Sequence, residues 1–171
     1  MEKEEYKVRH ASKADLLGIM WLIRQVVFEM NKNGMYHWNL YYPNEDIIKS
    51  DIEKGCLYLI KNHGVCVGIM TLNQDQVAEY DEIKWSVKSE DSLVIHRMGV
   101  HPEHLDEGIG KALLDFAEKI TLEKDLKSIR LDSFTGNAQS MNLCSTNGYA
   151  PKGELFFEFQ KTGYTCFEKT I

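Results

Sequence analysis

"VHPEHLDEGIGKALLDFAEK", Val100 to Lys119, is the stretch on which the fold turns. A strand-like run, SLVIHRMGV from Ser92 to Val100, leads into it. An amphipathic helix leaves it, with Ile109, Ala112, Leu113, Phe116, Ala117 and Ile120 on one face. Gly108 and Gly110 stand where that helix begins, although glycine costs about 1 kcal/mol relative to alanine inside a helix. One explanation is a tight turn or close packing against a neighbour. The other is that a ligand's phosphates approach the bare backbone at the helix start, where N–H groups point outward with partial positive charge. Two familiar glycine loops do not fit. Gly110-Lys111-Ala112 lacks the hydroxyl and the first glycine of a Walker loop, and a dinucleotide fingerprint would place a third glycine near Leu113.

Working outward, strands and helices alternate irregularly. YKVRH (Tyr6–His10) reads as a first strand, and Ser12 with Asp15 as the cap of a helix. Leu16, Ile19, Met20, Ile23, Val27 and Met30 form that helix's core face. MYHWNLYYP (Met35–Pro43) is an aromatic loop, and Asn44 caps a short helix with Ile48 and Ile52 on one side. CLYLI and VCVGIMTL, joined by KNHG, predict a hairpin, and the polar segment after it holds a strand-like EIKWSV (Glu82–Val87). SIRLDSF is a further strand, followed by a helix from Asn137 to Asn147 stopped by Gly148. ELFFEF (Glu154–Phe159) and YTCFEK (Tyr164–Lys169) close the chain as an antiparallel pair. The pattern implies one α/β or α+β domain over residues 1–171, built on a central sheet.

Composition narrows the function. A chain of 171 residues, 43% hydrophobic and 27% charged, suits a single globular domain. A net charge of −6 and the lack of a Lys/Arg-rich run argue against nucleic acid as partner. Cys56, Cys66, Cys144 and Cys166 show no CxxC pair and no histidine at ligand spacing, so no metal is expected. The charged N-terminus and the lack of a long apolar run imply no membrane partner and a cytoplasmic location.

Read together, MGVHPEHLDEGIGKALL (Met98–Leu114) resembles the pyrophosphate-binding motif of the GNAT superfamily of N-acetyltransferases: a strand, a Gln/Arg-x-x-Gly-x-Gly/Ala loop, then a helix. NAQSMNLCSTNGYAPKGE (Asn137–Glu154) is similar to the family's second motif, with Asn137, Ser140, Leu143, Gly148 and Tyr149 in register. VRHASKADLLGI resembles its first strand and helix, so the likeness spans nearly the whole chain. It implies a mixed, mostly antiparallel sheet with a splayed parallel strand pair, flanked by about four helices.

The same resemblance assigns roles. Acetyl-CoA would be the donor, its diphosphate on the backbone of Gly108, Ile109, Gly110 and Lys111. Met98, Gly99 and Val100 would receive the pantetheine arm as an added strand, with a backbone N–H near the acetyl carbonyl. Asn137 would contact the cofactor as well as, or instead of, capping its helix. Two positions depart from the family: Leu105 replaces the usual Gln or Arg, and Cys144 stands where a tyrosine commonly protonates the leaving thiolate. A thiolate of pKa about 8.5 departs at pH 7 at a cost of only about 2 kcal/mol, so it can leave unaided. Cys144 is either the acid or a small buried hydrophobe.

His96, with a reference pKa near 6.5, is a candidate base, with Glu79, Glu82 or a water chain as rivals. Trp38, Tyr41 and Tyr42, with Tyr36, and Tyr164 near the C-terminus are candidate walls of the acceptor pocket, or aromatic packing. The expectation is an N-acetyltransferase in which a primary amine, on a small molecule or a peptide, attacks directly in a ternary complex. A homodimer is compatible with this. The rival readings are an acyl-CoA-binding sensor without turnover and, last, an acyltransferase or hydrolase with Cys144 as nucleophile.

Overall fold

A computed structural model describes residues 6–157 and 162–171. Its seven strands are β1 (Val8–His10), β2 (Leu57–Asn62), β3 (Val65–Asn73), β4 (Ser92–Val100), β5 (Ser128–Phe134), β6 (Ala150–Leu155) and β7 (Tyr164–Thr170). The helices are α1 (Leu16–Lys32), α2 (Glu45–Glu53), α3 (Ile109–Glu123) and α4 (Ala138–Thr146). The strands form one sheet in the order β1-β2-β3-β4-β5-β7-β6. Pairs β1–β2, β2–β3, β5–β7 and β6–β7 are antiparallel, and β4–β5 is parallel. The mixed α/β class expected from the sequence is the one observed. By internal contacts the chain forms two compact units: the described residues up to Thr71 with Arg97–Leu113, and Leu72–His96 with Leu114–Ile171.

In the first unit, α1 buries Ile19, Leu22, Ile23, Val26 and Val27 against Ile48 of α2 and Leu57, Leu59 and Ile69 of the sheet. Each such side chain contributes about 1.5–3 kcal/mol over its exposed state. The start of α1 is fixed electrostatically. Asp15 accepts the Ser12 N–H at 2.9 Å and a two-pronged contact from Arg9 of β1, also at 2.9 Å. Lys61 of β2 lies 2.8 Å from the same carboxylate. Asn44 caps α2 through the Ile47 N–H, as its sequence position predicts. His63 and Gly64, at φ 47° and 82°, make the tight two-residue turn between β2 and β3.

In the second unit, β4 pairs with β5 from Ser92↔Ser128 to Val94↔Arg130. The registered pairs end there, while β4 continues to Val100 and β5 to Phe134. This is the parallel pair that the resemblance implies. Glu168 of β7, fully buried, accepts the Ser86 N–H at 2.7 Å and the Val87 N–H at 3.2 Å.

Two expected elements are corrected. EIKWSV (Glu82–Val87) is not a strand: a side-chain carboxylate takes the N–H groups that a neighbouring strand would have taken. Trp85 donates to the Tyr80 carbonyl at 2.8 Å and lies under the Arg130 guanidinium, 4.4 Å away, so the segment is anchored by side chains. The penultimate strand is Ala150–Leu155, earlier than ELFFEF, because Ala150 pairs with Glu168 and Leu155 with Tyr164. Phe156 and Phe157 follow the strand, and the rest of that stretch, 158–159, lies outside the described residues.

Candidate active site

The loop singled out in the sequence lies within the first unit. Gly108 sits at φ +86°, a backbone conformation that other residues rarely adopt, and a Cβ there would meet nothing within 4 Å. Its carbonyl accepts the Ala112 N–H at 2.9 Å, which makes Gly108 the cap of α3. Ile109, Gly110 and Lys111 therefore occupy the first turn, where the backbone N–H groups point toward the N-terminal end of the helix. Ile109 is fully buried and presses on Gly68, where an added Cβ would come within 2.7 Å of its Cγ2. One glycine gives the left-handed turn, a buried isoleucine pins the helix start, and the space beside Gly108 is open.

The segment before this turn is fastened by aromatic and polar contacts that periodicity does not reveal. His101 donates its backbone N–H to Val67 at 2.9 Å. The His101 ring stacks on Trp21 of α1, 5.1 Å between centroids at 16°. Its Nδ1 accepts the Glu103 N–H at 3.2 Å, and burial lowers its pKa. Glu107, next to Gly108, accepts from His104 at 2.7 Å and from the Tyr6 hydroxyl at 3.1 Å. The acidic side chain that would oppose an incoming anion thus has donors of its own.

Met98, Gly99 and Val100 end β4 in the same unit, and a Cβ added at Gly99 would come within 3.0 Å of the Trp38 ring. Trp38 is part of the core, packed with α1 and the sheet. Tyr41 is largely exposed and Tyr42 about one-third exposed, in a small turn where Asn39 bridges to Tyr42 and accepts the Tyr41 N–H at 2.8 Å. Arg97, which the sequence reading passed over, is the one strand residue of β4 with positive φ, at +48°. Its guanidinium grips Asp51 of α2 with contacts of 2.8 and 2.9 Å.

The remaining expected residues belong to the second unit. Asn137 caps α4, accepting the Ser140 N–H at 3.1 Å. Cys144 lies buried on that helix, where burial pushes its thiol up to about 12, a direction that disfavours it as a proton donor. His96 Nε2 lies 3.0 Å from both the Asn73 side-chain oxygen and the Asp75 carbonyl. A carbonyl only accepts, so this nitrogen carries a proton, and a base role would fall to Nδ1. Tyr164 meets Phe134 and Phe157 edge-on at 5.6 and 5.1 Å, an aromatic cluster beside the core. Tyr80 donates to Asp132 at 2.6 Å, and burial raises the pKa of both groups. Among the described residues there is no cluster of three groups able to hold a metal ion. None of the described helices is long and apolar enough to cross a membrane.

Residues 23–149 match the model of the acetyltransferase (GNAT) family, and the chain belongs to that family. It is 25% identical over 160 residues to the uncharacterized N-acetyltransferase YesJ of Bacillus subtilis, covering 92% of this chain and 86% of that one. The fold is similar to a GNAT-family acetyltransferase of Streptococcus agalactiae, with a TM-score of 0.84 at 20% identity over 100% of this chain and 98% of the other. It is also similar to the PaiA N-acetyltransferase of Thermoplasma acidophilum, a structure in complex with coenzyme A. There the TM-score is 0.74 at 17% identity, over 97% and 99% of the two chains.

Proposed function

We propose that this acetyltransferase moves an acetyl group from acetyl-CoA to a primary amine by direct attack in a ternary complex. The observation that carries the reading is the left-handed Gly108 turning into the first turn of α3, with open space beside it. The N–H groups of Ile109, Gly110 and Lys111 there form a helix-start anion site of the kind that suits a diphosphate. Acetyl-CoA, when bound, supplies the acetyl group as an activated thioester. The backbone of Met98 and Val100 is assigned to the pantetheine arm, and an N–H of this segment to stabilising charge on the carbonyl oxygen.

Proton handling is light in this scheme. The amine must be neutral to attack, and the group departs as a thiolate whose conjugate acid has a pKa only about 1.5 units above pH 7. Solvent can therefore accept one proton and return the other, and no acid from Cys144 is required. Tyr41 and Tyr42 are assigned to the acceptor side, with Trp38 setting their base from the core.

The test has two arms. Calorimetry of acetyl-CoA binding to the wild type and to Gly110→Val is expected to show binding lost in the variant, because Gly110 is buried in the first turn of α3 and a branched side chain there displaces the N–H groups of that turn. Pooled primary amines incubated with enzyme and acetyl-CoA are then searched by mass spectrometry for a gain of one acetyl group. Binding without any acetylated product would favour a sensor, and no binding would overturn the reading.

A further inference from the structure

We propose that Arg97 is a positioning residue whose side chain, clamped by Asp51, holds a left-handed kink in β4 that sets the course of Met98, Gly99 and Val100. The inference rests on the acetyl-CoA reading of that segment, and its physical basis is separate. A positive φ is unfavourable for any residue with a Cβ, and glycine or asparagine usually takes such positions. Arginine at φ +48° inside a strand therefore needs compensation from its surroundings.

The compensation is visible. Arg97 Nε donates to Asp51 Oδ2 at 2.8 Å and its terminal nitrogen to Oδ1 at 2.9 Å, the paired fork geometry that lysine cannot reproduce. Asp51 is buried in α2, and Thr71 of β3 donates to its Oδ2 at 2.7 Å. The Tyr42 side chain lies near enough to the guanidinium to favour its charged form. Helix α2, strand β3 and the aromatic turn thus converge on one side chain of β4, all within the first unit. The kink is two residues from Gly99 and one from Met98, so its angle decides where their N–H and carbonyl groups point. Because Tyr42 belongs to the turn assigned to the acceptor, the same clamp links the acceptor wall to the donor strand.

The test uses two double variants, which avoid leaving a buried carboxylate unpaired: Asp51→Asn with Arg97→Gly, and Asp51→Asn with Arg97→Ala. In an ordinary strand alanine is the more stabilising residue of the two. If position 97 is held left-handed, the order reverses, and the glycine double variant melts higher than the alanine one. It is also expected to bind acetyl-CoA within about tenfold of wild type, with the alanine variant at least a further tenfold weaker, both by calorimetry. Alanine melting as high as glycine, or higher, overturns the kink. Glycine melting higher but both binding acetyl-CoA equally overturns the positioning of the donor strand. A wild type that binds no acetyl-CoA overturns the functional reading, and the melting order still judges the kink.

Discussion

His104 Nδ1 lies 2.7 Å from Glu107 Oε2, and the Tyr6 hydroxyl donates to the same oxygen at 3.1 Å. Two donors, one from the loop and one from the segment before β1, therefore converge on the carboxylate next to Gly108. His104 first and Tyr6 second hold that carboxyl below the usual range, so it stays ionised. The acidic side chain beside the candidate anion site is thus a tethered one.

Glu107→Gln is expected to tighten acetyl-CoA binding at low ionic strength by about two- to threefold, because a like charge is removed at a solvated position. The gain should vanish in high salt. His104→Ala should act in the opposite direction, since it frees the carboxylate from its strongest partner. Titration calorimetry at two salt concentrations checks both. Weaker binding by the glutamine variant at low salt would mean that the tether orders the loop more than its charge repels.

At Gly108 the expected order of stability is glycine, then asparagine, then alanine. The backbone is left-handed at φ +86° and the space around it is open, so conformation rather than collision decides. Alanine should cost about 1–2 kcal/mol in urea unfolding, and asparagine, which visits this region more readily, less. Acetyl-CoA affinity should fall in the same order, because a shifted cap moves the first-turn N–H groups.

Cys144→Ala should lower turnover by less than about tenfold, because the departing thiolate can leave without an acid and burial, which pushes the Cys144 thiol up to about 12, disfavours it as one. Stability should fall by about 1 kcal/mol, as a small buried group is lost. A steady-state assay and a urea titration on the same preparation separate the two effects. A hundredfold loss of turnover with intact acetyl-CoA binding would restore a chemical role to the thiol.

The sequence was most legible where local rules act alone. Asn44, Asn137 and Gly108 sit at helix starts as their residue types predict, and the hairpin turn falls on His63-Gly64. The Val100–Lys119 pattern predicts a glycine turn leading into a helix, and Gly108 and α3 supply both. What it could not show depends on distant partners. EIKWSV has strand composition, yet Glu168, some eighty positions away along the chain, takes its N–H groups. Arg97 looks like an ordinary strand residue until Asp51 is seen to grip it. Trp38 reads as a pocket wall and packs as core, since an aromatic residue's spacing in an irregular loop does not reveal which way it turns.

Asp15 gives a pH-dependent prediction whose sign can be worked out. Its carboxylate is buried and takes Arg9, Lys61 and Ser12 as partners, Arg9 contributing most to holding its pKa far below the usual range. A group whose folded pKa is depressed binds fewer protons in the folded chain than in the unfolded one, so stability rises with pH across the interval between the two values. The contribution is complete above the unfolded carboxyl value of about 3.9 and is lost progressively as pH falls below it. Asp15→Asn should therefore destabilise the protein at pH 7 by about 1–3 kcal/mol, the worth of hydrogen bonds to charged groups. Arg9 and Lys61 are both partly exposed, which keeps the cost at that scale because water can hydrate them once the carboxylate is gone. Urea unfolding of both proteins from pH 7 to pH 3 checks the account. The gap between them should stay level down to about pH 5 and narrow below pH 4. A gap that is constant through pH 3 would mean that the side chain's hydrogen-bonding shape, and not its charge, stabilises the start of α1.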